Sequence, residues 1–184
     1  MKKISDLWLN ATGWTFVGVA PVEPKLVLVA YPHTSNWDFF VFLAVSSHFG
    51  LRFSFLAHEG LFKGPLGWLL RRWGGIPVQG KTAGTIVRSV VQSFELADEL
   101  RLVIAPEGTR AGGGGWKSGF WRIAEAADVP VAMAFVDGPT KTTGFGPVLR
   151  VDGDPDRWMH EARAFYADKR GLKPTNRAAV EIDR

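Results

Sequence analysis

The stretch KLVLVAYPHTSNWD, residues 25–38, decides the fold. Lys25 to Tyr31 is an almost unbroken β-type run, which reads as a buried strand. Pro32 and His33 break it. Ser35 to Asp38 then fits a capping box, so the spacing predicts a helix from about Asn36 to Phe49, stopped by Gly50. A buried strand leading through a short loop into a helix is the unit of an α/β sandwich.

Working outward, the same alternation continues. Arg52 to Ala57 reads as a strand, Pro65 to Trp73 as a short helix, and Ile76 to Val78 as an extended piece. Thr82 to Leu100 has the apolar face of a helix, with Ile86, Val90, Val91, Phe94 and Leu96. Leu102 to Ala105 is a strand, Trp116 to Ala127 a helix, Val129 to Val136 a strand, Val148 to Val151 a further strand, and Asp154 to Lys169 a helix. Alternating strands and helices argue for a mostly parallel central sheet flanked by helices in one α/β domain. We divide the chain into an amphipathic segment over 1–20, the domain over 21–170, and a loose polar tail over 171–184.

Composition narrows the chemistry. The 184 residues suit one domain. With no cysteine, thiol nucleophiles, thiolate zinc sites and disulfides are excluded. The net charge of +4 comes from scattered basic residues, not the basic stripe of a nucleic-acid binder, so no nucleic-acid partner is expected. Eight tryptophans and thirteen phenylalanines suit either a Trp-rich core or a surface at the water–lipid boundary. The longest apolar run, Phe39 to Val45, falls far short of the ~20 residues that span a bilayer. Met1-Lys2-Lys3 imitates a signal peptide, but Asp6 and Asn10 interrupt the apolar region one would need. Ile4 to Ala20 instead suits a short helix presenting Leu7, Trp8, Trp14 and Phe16 to a membrane or to the domain.

Two loops follow the carboxyl ends of predicted strands, where α/β sheets collect their sites. The first runs from Pro32 to Asp38. Neutral imidazole accepts a proton near neutral pH, and a carboxylate on its other nitrogen fixes the tautomer. His33 and Asp38 meet if the histidine precedes a helix whose first turn carries the aspartate. Taken alone, the spacing is a weak signal, and the same Asp38 reads as a residue that closes the capping box. The second loop runs from Pro106 to Arg110. Arg110 offers a planar fork for phosphate or carboxylate, Glu107 can hold that fork, and Gly108 permits a sharp turn. A salt bridge in a surface turn has the same residues.

Other chemistries fit poorly. The glycines before Lys117-Ser118 imitate a P-loop, but the required glycine positions hold Ala111 and Trp116, so a flexible loop is expected there. There is no G-x-S-x-G elbow. A metal held by His33, Asp38, His58 and Glu59 has no recognised spacing, and none is expected.

In order, the segments resemble the glycerolipid acyltransferase family, which includes bacterial 1-acylglycerol-3-phosphate acyltransferases. His33 to Asp38 matches the family's His-x4-Asp block, Gly75 to Val78 most of its second, Pro106 to Arg110 its third, and Val129 to Val131 its fourth. Lys117 to Phe120 fits the stretch placed between the last two. The resemblance runs from about Leu26 to Phe135. It implies an O-acyltransferase with no bound cofactor, whose donor is a fatty acyl thioester on coenzyme A or acyl carrier protein. His33 would be the general base and Asp38 its orienting partner. Glu107, Gly108, Thr109 and Arg110 would bind a lysophospholipid or related lipid alcohol, with Arg110 on an anionic head group. Peripheral attachment to the cytoplasmic face of the membrane would follow. The pattern departs where members carry phosphate-binding cations: Gln79-Gly80 stand in the second block, followed by Lys81, and His58 stands in the upstream run. That favours an acceptor other than a glycerol phosphate. An acyl-thioester hydrolase and a non-catalytic lipid-binding module on the same fold are the competing readings.

Overall fold

The computed structural model describes residues 2–78, 82–108 and 114–183. Its strands are β1 (Thr15–Val17), β2 (Lys25–Ala30), β3 (Ser54–His58), β4 (Gly75–Val78), β5 (Leu100–Ile104), β6 (Val131–Asp137) and β7 (Thr142–Leu149). They form one seven-stranded sheet in the order β1-β7-β6-β2-β5-β3-β4. Neighbours run parallel except for β6 and β7, which form a hairpin. In β2 the successive residues Leu26, Val27, Leu28 and Val29 are all buried. A strand apolar on both sides belongs in the middle of such a sheet, covered by helices above and below.

The helices are α1 (Lys2–Thr12), α2 (Asp38–Phe49), α3 (Gly64–Arg72), α4 (Ala83–Leu96), α5 (Gly119–Ala126) and α6 (Pro155–Tyr166). Alternation along β2 divides the core. Val27 and Val29 face a large cluster built with Val90 and Phe94 of α4, Phe120 and Ile123 of α5, and Trp158 and Tyr166 of α6. Leu26 and Leu28 face a smaller one with Val41 and Val45 of α2, Phe53 and Phe145. Buried Trp116 joins the larger cluster in edge contact with Phe120, Trp158 and Tyr166.

Several boundaries move for physical reasons. The helix expected from Thr82 to Leu100 stops at Leu96, because the Leu100 amide donates to the Pro24 carbonyl and draws the chain into the sheet. The helix expected from Trp116 starts at Gly119, since the Trp116 amide donates to the Glu181 carbonyl instead. The last strand runs over Thr142–Leu149 rather than Val148 to Val151. The N-terminal segment is not one helix. α1 ends at Thr12, Gly13 turns with a φ of 74°, and β1 joins the sheet edge beside β7. Phe16 stacks on His48 of α2 at 4.3 Å, and His48 Nδ1 lies 2.6 Å from Asp6 Oδ1, so this segment packs on the domain.

The expectation of a loose tail is corrected. Gly171 bridges to Asp137 and Ile182 to Trp116, while Ala178 and Val180 are buried. Every second residue of Ala178, Val180 and Ile182 turns inward, a strand-like pattern hidden in polar company. Val180→Asp is therefore expected to cost about 2 kcal/mol or more in chemical denaturation, because an unpaired carboxylate enters an apolar site. Ala179→Asp, on the exposed side, is expected to shift stability by less than about 0.5 kcal/mol. Equal effects would mean that the tail does not pack this way.

Candidate active site

At the carboxyl end of β2 the chain passes through a cis Tyr31–Pro32 peptide into the His33 loop and then α2. Asp38 opens that helix and is buried. Its Oδ2 accepts from the backbone N–H groups of Thr34 and Ser35, both at 2.8 Å, and lies 3.0 Å from His33 Nδ1. The capping interaction expected of Asp38 and its contact with His33 thus use one oxygen. A carboxylate is favoured at a helix N-terminus by the helix dipole. Ser35 contributes less than a full cap: its Oγ accepts from the Trp37 amide at 3.3 Å, and the helix begins two residues later than Asn36.

The loop after β5 meets this arrangement. Glu107 is buried, and its Oε2 accepts from the His33 backbone N–H at 2.7 Å. Burial pushes the Glu107 carboxyl up to about 6, against the opposing pull of the His33 amide and, more weakly, the Ala178 amide. Glu107 Oε2 thus ties the second loop to the first, while its expected contact with Arg110 lies outside the described residues. Gly108 turns with a φ of 67°, a left-handed conformation that favours glycine. Thr109 and Arg110 lie outside the described residues, as do Gln79, Gly80, Lys81 and the expected flexible glycines Gly112 and Gly113.

Beside the pair lies a cavity of about 550 Å³. That is within the range of small-molecule sites, about 300–1,000 Å³. His33, Asn36, Asp38 and Gly108 give it a polar end. Leu28, Phe39, Phe42, Val45, Phe55 and Val103 line the remainder, between α2 and the sheet. His58 does not join His33: its Nδ1 accepts from the Gly60 amide. Among the described residues no three His, Cys, Asp or Glu side chains gather as a metal-binding group.

The tail supplies contacts that motif reading missed. Thr34 Oγ1 accepts from the Lys173 amide at 3.0 Å, and Asn176 Nδ2 approaches the Thr34 carbonyl at 3.5 Å. Tyr31 donates its hydroxyl to the Ala178 carbonyl at 2.6 Å. Arg177 sits over the Tyr31 ring at 5.5 Å and donates to the Tyr166 carbonyl at 2.9 Å. The same segment therefore touches the His33 loop and Glu107. The alternation of Ala178, Val180 and Ile182 was the available signal.

The chain belongs to the acyltransferase family: the model described as Acyltransferase matches residues 15–135, and the protein is an acyltransferase enzyme. Its fold is similar to the crystal structure of the 1-acyl-sn-glycerophosphate (LPA) acyltransferase PlsC from Thermotoga maritima. The TM-score is 0.62 over 91% of this chain and 73% of that one, at 18% identity. No curated protein matches the chain by sequence.

Two outcomes are expected. Because the folded chain holds the Glu107 proton more tightly than the ordinary value of 4.5, its stability falls as pH rises through that value to about 6. Between pH ~4 and ~7, Glu107→Gln should gain up to about 2 kcal/mol relative to the parent in denaturant titrations. A difference that stays constant with pH would refute this. Thr34→Val leaves the Lys173 amide unpaired and should cost about 1–3 kcal/mol, while Thr34→Ser recovers most of it; equal losses for both would remove the hydroxyl from the account.

Proposed function

We propose that this acyltransferase moves a fatty acyl group from a thioester, on coenzyme A or acyl carrier protein, to a hydroxyl of a lysophospholipid or related lipid alcohol. The observation that carries the proposal is the 3.0 Å contact between His33 Nδ1 and Asp38 Oδ2 at the polar end of an apolar cavity.

In the proposed reaction, His33 Nε2 takes the proton from the acceptor hydroxyl as its oxygen attacks the thioester carbonyl. Asp38 fixes the reactive tautomer and stabilises the imidazolium. The tetrahedral intermediate collapses with rupture of the carbon–sulfur bond. The imidazolium proton passes to the departing thiolate, which restores the base. No acyl-enzyme is formed. The apolar wall from Leu28 to Val103 suits the acyl chain, since each buried methylene contributes about 0.8 kcal/mol.

Glu107 positions the His33 loop, and Gly108, Thr109 and Arg110 receive the acceptor, with Arg110 on any anionic head group. Gln79-Gly80 in the second block favours an acceptor with less negative charge than a glycerol phosphate. The similarity to an LPA acyltransferase supports a lipid acceptor and a place in phospholipid biosynthesis. No described helix is long and apolar enough to cross a membrane, and we assign the enzyme to peripheral attachment at the cytoplasmic face.

The test is incubation with long-chain acyl-coenzyme A or acyl carrier protein and a mixed lysolipid extract, with products identified by mass. His33→Ala should fall to the uncatalysed background while keeping its unfolding midpoint. Asp38→Asn, which leaves the tautomer unfixed, should lose about 10³–10⁴-fold in kcat. A fully active His33→Ala protein would sink the mechanism. Thiol release that ignores added alcohol would favour the hydrolase.

A further inference from the structure

A groove of about 1160 Å³ opens at the amino ends of β3 and β5, between α2 and α3. His33 follows the carboxyl end of β2, which runs parallel to β5, so the groove lies toward the opposite end of the sheet. Its described lining carries four arginines, Arg52, Arg71, Arg72 and Arg101, against one carboxylate, Glu99. Arg101 is the unusual member. Its side chain is only 8% exposed, Nη1 reaches Glu99 at a loose 3.4 Å, and Nε is buried with no hydrogen-bond partner in the structure. A guanidinium this deep normally has its donors met. Arg52, Arg71 and Arg72 are exposed, and Arg71 also donates to the Phe62 carbonyl at 3.2 Å.

A second observation concerns the helices that wall the groove. α2 is apolar almost all round, and a helix of that kind is normally covered. Here Phe40 is 51% exposed and packs on Trp37, itself 68% exposed, at a ring distance of 5.2 Å. On α3, Leu66 and Trp68 also face outward. Trp68 and Trp73 border the groove directly. Indole rings and outward aliphatic side chains beside an excess of arginines over carboxylates are the chemistry of an anionic bilayer surface, where rings sit at the headgroup level and cations meet phosphates.

We propose that the α2–α3 face docks on a bilayer containing anionic phospholipid, with the arginine groove taking a lipid phosphate. The inference deepens the proposed membrane attachment and rests on it. α2 joins the two regions: Trp37 adjoins Asp38, so docking along this helix brings the polar end of the cavity to the lipid surface.

Vesicle cosedimentation tests it without any turnover, so its failure is separable from failure of the acyl-transfer reading. The parent is expected to bind vesicles of phosphatidylcholine mixed with phosphatidylglycerol at least about tenfold more tightly than phosphatidylcholine alone. Arg52→Gln with Arg72→Gln should weaken binding to the mixed vesicles about tenfold or more. Arg88→Gln with Arg122→Gln makes the same charge change on α4 and α5, across the sheet, and should stay within about twofold of the parent. Phe40→Ala with Trp68→Ala should weaken binding to both kinds of vesicle. Equal binding to the two compositions, or equal losses from the two arginine pairs, would overturn the proposal.

Discussion

One oxygen, Oδ2 of Asp38, accepts two backbone N–H groups of the loop it closes and lies 3.0 Å from Nδ1 of the His33 ring. The backbone pair holds the carboxylate in a single orientation, so the imidazole meets a fixed acceptor rather than a mobile one. Helix start, loop shape and ring orientation are therefore one local event. The rest of the site is arranged around that event, since Glu107 reaches it through the His33 backbone and the cavity ends beside it.

Glu107 and the tail extend the arrangement across distant parts of the sequence. β2 and β5 are neighbours, and their loops emerge side by side. The Glu107 carboxylate joins them, and the segment from Lys173 to Ala178 presses on both from outside. Tyr31 and Tyr166 form an edge-to-face pair beneath, at 4.9 Å, with the Tyr166 hydroxyl donating to the carbonyls of Val29 and Ala134. Burial drives the Tyr31 hydroxyl up to about 12, so it stays a neutral donor to the Ala178 carbonyl. The loops thus stand on two hydrogen-bonded tyrosine hydroxyls set into an aromatic layer.

Much of this was legible in the sequence because local signals agreed. The apolar run of β2 and the capping pattern after it located the central strand and the helix that follows it, though not its first residue, and placed His33 near Asp38. The alternation of strands and helices indicated the mostly parallel sheet. What escaped depended on partners remote in sequence. The contact of Glu107 with the His33 amide spans 74 residues, and that of Tyr31 with Ala178 spans 147. Asp38 and His33 could be paired because only a short loop leading into the start of α2 separates them, in the order of the family's His-x4-Asp block. Ala178 and Val180 sit among polar and charged residues, which outweighed their alternation. The early end of α4 was likewise set by pairing with the distant Pro24.

The two sides of the sheet are unequal in thickness. The tryptophan-rich side packs α4, α5 and α6 into the larger cluster, while the other side rests chiefly on α2 and contains the cavity. The larger share of the buried core and the cavity consequently lie in different layers. Substitutions at Phe42, Val45 or Phe55 can remodel the hollow without disturbing the denser layer behind the strands. A lineage could drift in the ligands it accepts while its scaffold stays under separate selection.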